Sequence, residues 1–325
     1  MCSIDIKLAS NVVPFMQMRD RFVSGGYNKG YELEKQLEFI ASLEGITGVA
    51  YGWPCQYDDP AELKMVVDNH GLKIATLDTD IYTEARFKHG SFSSRDPKIR
   101  RAAIEQTKKA IDAAVACGAP DVNLWPGHDG FEYPFQGHYD DAWKYIEECL
   151  LEIAEYNPDL PVSIEPKCKE PRANNYFANT GKVLMLVNKI NRPNVGITLD
   201  FGHSLAALEN PAESAVLAMR EKRLRQIHIN DNYRDWDHDL VPGSATVWEH
   251  VEFFYWLKKM NYDGWFCIDI YPYRNEGRKV LENTVNVCKK CCAIADKLIE
   301  MNIEDIMRTG DHLDILNNLW NMFDI

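Results

Sequence analysis

Several features of membrane, secreted and nucleic-acid-binding proteins are missing from this sequence. None of its apolar runs reaches the length that a membrane-spanning helix needs. The first residues, MCSIDIKLAS, contain neither a basic segment nor a long apolar core, so we expect no secretory signal. Basic residues are scarce, since 36 Lys and Arg stand against 49 Asp and Glu, giving a net charge of -13. This balance argues against a nucleic-acid or anionic-membrane partner and fits an enzyme with a neutral substrate.

Paired cysteine motifs are also missing. The nine cysteines are an odd number and are scattered, which is typical of an intracellular protein with reduced thiols. Cys288, Cys291 and Cys292 lie close together, but no second CxxC pair completes a zinc or iron–sulfur site. They fall on the apolar face of a helical pattern, so we assign them to the core. A cytoplasmic location follows as an expectation.

Short β-like runs alternate with helical patterns along the chain. The Gly-rich GxGxxG turn of a doubly wound dinucleotide-binding sheet does not follow the first run. Eight strand–helix units in 325 residues instead predict an α/β fold of the (β/α)₈ TIM-barrel type. The predicted strands span 4–9, 48–53, 72–78, 121–126, 161–167, 195–201, 225–231 and 265–271, and the predicted helices lie near 31–43, 60–70, 97–117, 140–156, 178–190, 211–222, 246–260 and 276–299.

The end of the chain exceeds what eight units need. Its last residues, DILNNLWNMFDI, are apolar and helical in pattern. We expect 1–300 to form the barrel and 301–325 to form a C-terminal helical extension. That extension would pack under the barrel or build a subunit interface.

Four predicted strands end in residues of metal-binding type. Burying such groups unpaired is costly, and the C-terminal ends of barrel strands meet at the mouth that holds the active site. Three carboxylates and one imidazole suit Mn²⁺, Mg²⁺ or Co²⁺ better than a thiolate zinc site does. The four residues are Glu165, Asp200, His228 and Asp269, at the ends of VSIEPK, GITLDFGHS, RQIHIND and FCIDIYPYR.

Each of the four also has a purely structural alternative. Those alternatives are an ion pair of Glu165 with Lys167, a helix cap for Asp200, a core position for His228 and an ion pair of Asp269 with Arg274. Four separate structural explanations do not account for the shared position of these residues at the same end of their strands. We therefore predict a divalent-metal site.

Further polar residues are expected around the same mouth. Lys167 lies two residues beyond Glu165, so both side chains point to one side of the strand, where a lysine can stabilise developing negative charge. For His203 we consider three roles: a group that contacts the metal ligands, a ligand of a second metal, or a base. The acidic loop with Asp235, Asp237 and Asp239 offers second-metal ligands, or is simply solvated.

The loop after the fourth strand, WPGHDGFEYPFQGHYD, combines aromatic rings with hydrogen-bonding groups. Such a surface suits a sugar ring, which has apolar faces and a polar rim. The candidates are Trp125, His128, Asp129, Phe131 and His138. The alternative is that these side chains only pack a long loop.

Several of these segments resemble those of a known family. Glu165-Pro166-Lys167, continued by Glu170-Pro171-Arg172, resembles the E-P-K-x-x-E-P stretch of xylose isomerases. WPGHDGFEYPFQ resembles their tryptophan-containing loop, and LDFGHS, HIND and I-D-x-Y-P resemble the remaining ligand strands. The chain is therefore similar to the xylose isomerase-like TIM-barrel superfamily over roughly residues 30–290, which is the span of its strand–helix repeats.

The resemblance implies roles for individual residues. Glu165, Asp200, His228 and Asp269 would hold one divalent metal, Mn²⁺ in first place, with Asp231 competing with His228 for the third position. Lys167, His128, His138 and His203 are the candidates for the catalytic acid or base. The expected substrate-binding residues are Trp125, Asp129, Phe131, Glu170 and Arg274.

Two departures from the family pattern direct the functional hypothesis. The loop YGWPCQYDDP lacks the histidine that opens the sugar ring, and Asp237 with Asp239 fits a second-metal site only approximately. A one-metal relative is indicated, in which a base removes a proton next to a sugar carbonyl and the metal stabilises the enediolate. We favour the catalytic subunit of a C-glycoside deglycosidase that cleaves 3-oxo-C-glycosides.

Other functions remain open. An aldose–ketose isomerase or 3-epimerase shares the same first step, and a catalytically silent sugar-binding or scaffold subunit is an alternative of another class. The expected partners are a sugar or glycoside substrate, together with a small β-type subunit or further copies of the chain.

Overall fold

The computed structural model describes residues 6–54, 59–170 and 172–322, and within them eight parallel strands close into a barrel. The strand order around the barrel is β1-β11-β10-β9-β6-β4-β3-β2. The structure thus confirms the predicted (β/α)₈ fold. The barrel strands are β1 Lys7–Asn11, β2 Ile46–Trp53, β3 Lys73–Thr79, β4 Val122–Leu124, β6 Val162–Ile164, β9 Val195–Asp200, β10 Leu224–Ile229 and β11 Trp265–Ile268.

Three short strands in the loops at the mouth of the barrel form a separate antiparallel sheet. They are β5 Gly130–Phe131, β7 Lys169–Glu170 and β8 Ala173–Asn175, in the order β5-β8-β7. This sheet joins the loop after β4 to the loop after β6, a pairing that the sequence pattern did not predict.

The helices surround the barrel close to the predicted positions. The principal ones are α1 Leu33–Ala41, α2 Pro60–Asn69, α3 Pro97–Cys117, α4 Tyr139–Tyr156, α5 Thr180–Ile190, α7 Pro211–Arg220, α8 Val247–Lys259 and α9 Gly277–Glu300. A short helix α6, Phe201–Ala206, follows β9 directly and was not predicted. Among the described residues, no helix is both long and apolar enough to cross a membrane.

Local sequence explains where several helices begin. Asp59, Asp96 and Asn210 each accept a hydrogen bond from a backbone N–H in the first turn, and each is followed by a proline. This arrangement satisfies an otherwise unpaired donor and fixes the first helical dihedral angle. Asp59 in this way caps α2, with Pro60 as the first helical residue.

The C-terminal segment forms two helices, α10 Glu304–Thr309 and α11 His312–Trp320, neither of which contains a buried residue. They lie beside α8: Glu304 pairs with Lys259 at 2.7 Å, and the Trp320 ring lies 5.9 Å from that of Trp248. The division of the chain at residue 300 stays a prediction.

The core separates into two zones. Apolar residues on the outer faces of the strands pack against the helices, and there Cys288, Cys291 and Cys292 are free and buried, as predicted. The barrel interior instead contains a polar network, in which the Thr198 hydroxyl donates to Asn123 and the Gln226 amide donates to Thr198. This network fixes polar side chains directly beneath the strand ends.

Two helix-start glycines make a matched test of packing. A Cβ at Gly277 would overlap the carbonyl oxygen of Pro14, whereas a Cβ at Gly181 would lie in ordinary contact with Asn179 Oδ1, at 3.7 Å. We expect Gly277→Ala to lower the free energy of unfolding by about 1–3 kcal/mol. Gly181→Ala should instead raise it by about 0.5 kcal/mol, because alanine restricts the unfolded chain. Urea unfolding measures both changes. If Gly277→Ala and the wild type had equal free energies of unfolding, α9 would shift to accommodate the added methyl group at no cost.

Candidate metal centre

Four side chains converge where neighbouring barrel strands end. Each offers one potential ligand atom, and these atoms all lie within 4.8 Å of one another. The convergence follows from the topology, because β6, β9, β10 and β11 are consecutive neighbours and His228 lies opposite Asp200 in the β9–β10 register. The four residues are Glu165, Asp200, His228 and Asp269.

The imidazole of His228 lies among the carboxylates. Its Nδ1 is 3.3 Å from Glu165 Oε1, 3.7 Å from Asp269 Oδ2 and 4.0 Å from Asp200 Oδ2. Neither ring nitrogen has a hydrogen-bond partner among the described residues. An unpaired buried nitrogen costs free energy, and a bound cation would remove that cost. The orphaned imidazole and the oxygen-rich surroundings therefore fit a divalent metal.

Electrostatics within the group point the same way. Burial raises the pKa of Asp200 to about 7, an effect that His203 opposes and the Glu165 carboxylate reinforces. Burial disfavours the charged form of His228, yet Glu165 and Asp269 raise its pKa to about 10. Without a metal, protons thus balance part of the buried negative charge. A divalent cation would take over that role.

Amide side chains orient the carboxylates. Asn123 Nδ2 donates to Glu165 Oε2 at 2.9 Å, and Asn11 Nδ2 donates to Asp269 Oδ1 at 2.6 Å. In each case the other oxygen is the one that faces His228. Each carboxylate is thereby held by one oxygen and offers the second to an ion.

Asp200 has two functions. Its Oδ1 accepts a hydrogen bond from the backbone N–H of His203 at 2.7 Å, which caps α6, and its Oδ2 accepts from Asn230 Nδ2 at 3.0 Å. The capping alternative and the position in the four-residue group are therefore both observed. A carboxylate oxygen has more than one lone pair, so these bonds leave room for a cation.

A chain of ionic contacts lies beside the four-residue group. The Lys167 ammonium is buried and pairs with Asp237 at 2.7 Å and with Glu170. His203 connects this pair to the group, with Nε2 at 3.2 Å from Asp237 and Nδ1 at 3.2 Å from Glu165. Lys167 thus pairs with Asp237 and Glu170, and not with Glu165 as one structural alternative had it.

The protonated form of Lys167 is strongly stabilised. Burial alone would lower its pKa, but the carboxylates of Asp237 and Glu170 raise it above the ordinary lysine value. Its Nζ also lies 5.0 Å from the centre of the Trp125 ring. The side chain is therefore an ammonium group at neutral pH and is suited to stabilise negative charge, not to accept a proton.

A cavity of about 630 Å³ opens onto the group. Among the predicted residues, Trp125, His128, Lys167, Glu170 and His203 line it together with Asp237 and Asp239. Asp78, Asn11 and Asn123 line it too and were not predicted. Burial raises the pKa of Asp78 to about 7. The detectable signal for these residues was a polar side chain within or just after an otherwise apolar strand.

Two predicted binding residues lie elsewhere. Asp129 is fully buried, and its carboxylate accepts hydrogen bonds from the backbone and hydroxyl of Ser91 and from the backbone of Ser93. It therefore supports the loop and has no surface for a substrate. Arg274 is exposed and interacts with Asp20 and Tyr27, so it does not bridge to Asp269.

The predicted base candidate His138 also lies outside the cavity. Its side chain is 65% exposed, and it caps α4 by accepting a hydrogen bond from the backbone N–H of Asp141 at 3.3 Å. His138 and Phe131 line a second cavity next to the first. The aromatic loop thus folds away from the four-residue group, because β5 pairs with β8.

Asp231, the competitor of His228, is excluded by its hydrogen bonds. It is fully buried, and its two oxygens accept from the backbone N–H groups of Asn232, Ala245 and Thr246 and from the Thr246 hydroxyl. These bonds anchor the start of α8. Asp235 of the acidic loop is exposed and takes no part either.

The barrel and its carboxylate–imidazole group define a TIM-barrel protein with a candidate metal site. Comparison with known proteins gives its family. The chain belongs to the xylose isomerase-like TIM barrel family, whose model matches residues 37–291. It is 27% identical over 248 residues to the xylose isomerase of Thermus thermophilus, covering 74% of this chain and 64% of that one. The chain thus spans slightly less than two thirds of that relative.

Solved structures share the fold. A 3-keto-D-glucoside 4-epimerase from E. coli superimposes with a TM-score of 0.65 at 15% identity, over 87% of this chain and 99% of the other. A D-allulose 3-epimerase from Methylomonas sp. gives a TM-score of 0.65 at 18% identity, over 88% and 98% of the two chains. These two sugar epimerases thus have the same fold as this barrel.

Removing one carboxylate tests the metal site. We expect Mn²⁺ to raise the unfolding temperature of the wild type, with a gain of about 2.7 kcal/mol at a hundredfold excess over the dissociation constant. Glu165→Gln should abolish this gain, because it removes the charged oxygen that faces both His228 and His203. Differential scanning calorimetry with and without Mn²⁺ measures it, and Asp235→Asn is the control. A Mn²⁺ response that survives in Glu165→Gln contradicts the assignment.

A different outcome is expected for Asp231→Asn. The amide would turn an N–H₂ toward backbone donors, so the variant should lose about 2 kcal/mol or more of stability. Its stoichiometry of bound Mn²⁺, measured by elemental analysis after dialysis, should equal that of the wild type. Loss of the metal from a folded Asp231→Asn protein would return this residue to the ligand set.

Proposed function

We propose that the protein is a divalent-metal-dependent sugar enzyme that removes a proton next to a sugar carbonyl, and that its substrate is a 3-oxo-C-glycoside. The observation that carries the proposal is the placement of a fixed ammonium group, Lys167, beside the four-residue group in one cavity. Membership of a family that includes sugar isomerases and epimerases supports a sugar substrate.

The cavity supplies positive charge where the substrate oxygens would lie. A divalent cation held by Glu165, Asp200, His228 and Asp269 would stabilise the negative charge that develops on the oxygens of the enolate. Lys167 donates a hydrogen bond to the same oxygens, and Asp237 and Glu170 keep it protonated. Such charge stabilisation is worth most in a buried site.

We assign the proton-accepting role to His128. Of the four catalytic candidates, Lys167 is held as an ammonium group and His138 lies outside the cavity. Both ring nitrogens of His203 lie against carboxylates, at Glu165 and Asp237. His128 is half-buried on the cavity wall and makes no hydrogen bond through its ring to the described residues, so its ring can meet a substrate proton.

The reaction balances without an oxidant or reductant. His128 takes the proton from carbon 2, and that electron pair forms a double bond to carbon 3 as the carbonyl oxygen becomes negative. The carbonyl then re-forms, a double bond appears between carbons 1 and 2, and the bond from carbon 1 to the aglycone carbon breaks. The aglycone carbon receives the electron pair and the proton that His128 took from carbon 2, which returns His128 to its starting form.

A 3-oxo-pyranoside suits this chain because its carbonyl is present without ring opening. The loop at 51–60 has no histidine for that step, although residues 55–58 of it lie outside the described residues. The fold shared with a 3-keto-D-glucoside 4-epimerase is in keeping with such a substrate.

One metal fits better than two. The two aspartates that would hold a second ion are Asp237 and Asp239, and the Lys167 ammonium already pairs with Asp237. A cation there would have to displace a buried ion pair, which is costly. Mn²⁺ is the ion that we propose, because the donors are mostly oxygen with one imidazole.

The proposal extends to the setting of the enzyme. We place it in the cytoplasm, as the catalytic subunit of an assembly with a small β-type subunit or with further copies of itself. Exposed apolar side chains on the C-terminal helices, such as Leu313 at 69% exposure, support an interface there.

The second candidate function is an aldose–ketose isomerase or a 3-epimerase. Its support is the likeness to xylose isomerase and D-allulose 3-epimerase, which act on the sugars that their names give. A catalytically silent sugar-binding subunit is the third. It would bind sugar equally well with and without metal.

A substrate panel separates these functions. The Mn²⁺-loaded protein in deuterated water should exchange the carbon 2 hydrogen of a 3-oxo-C-glycoside and release the aglycone, and His128→Asn should slow exchange by about 10²- to 10⁴-fold. Nuclear magnetic resonance follows exchange, and Asp235→Asn is the matched control. Turnover of free ketoses alone would establish the isomerase or epimerase, and binding without exchange would establish the silent subunit.

A further inference from the structure

Three polar side chains on the wall of the 630 Å³ cavity have unused hydrogen-bonding capacity. They are Asn11, Asp78 and His228. Asn11 Oδ1 and His228 Nε2 are buried and have no hydrogen-bond partner among the described residues. One oxygen of Asp78 accepts from Asn123 Nδ2 at 2.9 Å, and the described residues donate no hydrogen bond to the other. Unpaired polar atoms at buried positions cost free energy, so these groups point to a ligand between them.

Asp78 is connected to His228 through one amide. The Nδ2 of Asn123 donates both to Asp78 Oδ1 and to Glu165 Oε2, and Glu165 Oε1 lies 3.3 Å from His228 Nδ1. Burial favours the uncharged forms of Asp78 and His228. Against this effect, His228 lowers the pKa of Asp78, and Asp78 raises the pKa of His228. The two side chains are therefore close enough to interact.

Asn11 is connected to the same imidazole from the other side. Its Nδ2 donates to Asp269 Oδ1 at 2.6 Å, and Asp269 Oδ2 lies 3.7 Å from His228 Nδ1. Asp78 and Asn11 are thus the two ends of an arc of contacts around the barrel mouth, with His228 in the middle of the arc.

The ends of the arc are separated by a strand with small residues. In the register of the barrel, Asn11 of β1 lies opposite Ala50 of β2, and Gly52 of β2 lies opposite Asp78 of β3. Of β2, all of which the structure describes, only Ala50 and Gly52 line the cavity. A methyl group and a hydrogen leave room between the two ends, and the cavity extends into that room.

Other polar groups around this space are already hydrogen-bonded. Cys267 lies opposite His228 in the β10–β11 register, and its thiol donates to Gln226 Oε1 at 3.4 Å. The Asn123 oxygen accepts from the Thr198 hydroxyl. The two ends of the arc therefore provide free acceptors.

The free donors and acceptors match one water molecule. Nδ1 of His228 faces the carboxylates that would hold an ion, so Nε2 carries the ring proton and is a donor. Asn11 Oδ1 and the second oxygen of Asp78 are acceptors. A water accepts one hydrogen bond from the ring and donates one to each oxygen, whereas a metal cation could not accept the ring proton. About three such bonds are usual for a buried water.

We propose that Asp78, Asn11 and His228 bind one buried water, and that Asp78 acts through this water as a positioning residue for His228. The water holds the ring with Nε2 protonated and with Nδ1 toward the carboxylates, which is the arrangement that can bind a cation. A carboxylate that orients a metal-binding histidine in this way strengthens metal binding. The inference rests on the metal-binding part of the proposed function and not on its substrate.

Two variants of one residue test the positioning role. We expect the Mn²⁺ dissociation constant, measured by electron paramagnetic resonance, to rise about 10- to 100-fold in Asp78→Ala. Asp78→Asn should recover most of this loss, because its amide can donate to the water, which still donates to Asn11. An equal loss in both variants would assign the effect to charge alone and overturn the positioning role, as would wild-type affinity in Asp78→Ala.

Asp121→Ala is the matched control for these variants. It also removes a buried carboxylate that precedes a barrel strand residue, but Asp121 lines neither cavity. Its Mn²⁺ dissociation constant should equal that of the wild type.

Nuclear magnetic resonance reads the His228 ring directly in the wild type. With ¹⁵N-labelled histidine and Zn²⁺, which is diamagnetic, we expect the proton on Nε2 and a cross-peak from that proton to water. His228→Gln assigns the signal, and Asp78→Ala should lose the cross-peak. A wild-type ring protonated on Nδ1, or an Nε2 proton without a contact to water, overturns the proposal even if no Asp78 variant folds.

The same spectrum separates failure of this inference from failure of the proposed function. The cross-peak is sought in the metal-free protein as well. If the wild type binds neither Mn²⁺ nor Zn²⁺ but the Nε2 proton contacts water, the metal-binding part of the proposed function is wrong and the water site stands. If the metals bind and the cross-peak is absent, the water site is wrong and the metal site stands.

Discussion

The structure around the cavity depends on one electrostatic constraint: more negative than positive charge is buried at the ends of four neighbouring strands. Glu165, Asp200 and Asp269 meet at His228, and Asp237 and Asp239 lie close by. Buried carboxylates at such distances cannot all stay ionised without cations. Each surrounding feature supplies positive charge, supplies hydrogen-bond donors or leaves space for an ion.

The hydrogen bonds show how the fold meets this constraint without filling the site. Amides, which are donors without charge, hold the outer oxygens of Glu165 and Asp269. The Asn123 amide is itself fixed by Thr198 within the barrel. The polar interior of the barrel, unusual where packing is normally apolar, thus gives the carboxylates a rigid support. Rigidity of this kind is what makes a site selective for geometry.

The sequence predicted the barrel and the convergence of the four strand-end residues, because both follow from chain order. Strand ends in a parallel barrel must meet, so Glu165, Asp200, His228 and Asp269 could be grouped from their positions alone. The same rule could not choose between His228 and Asp231. That choice depended on the loop 244–246, whose N–H groups surround Asp231.

Residues in the loops were predicted less well, for a physical reason. The aromatic loop carried the right residue types for a sugar site, but its direction is set by pairing of β5 with β8 across 44 or so residues of sequence. That pairing buries Asp129, turns His138 to solvent and leaves His128 at the boundary between two cavities. Local pattern contains no information about such a contact.

The position of Lys167 connects the charge balance with the chemistry. Its ammonium group is bound by Asp237 and Glu170, and through Asp237 and His203 it is linked to Glu165. A change in charge within the cavity therefore acts on a continuous path of paired ionisable groups. Glu170 lies at the end of this path and also lines the second cavity. Glu170 thus both pairs with the Lys167 ammonium and lines the two neighbouring cavities.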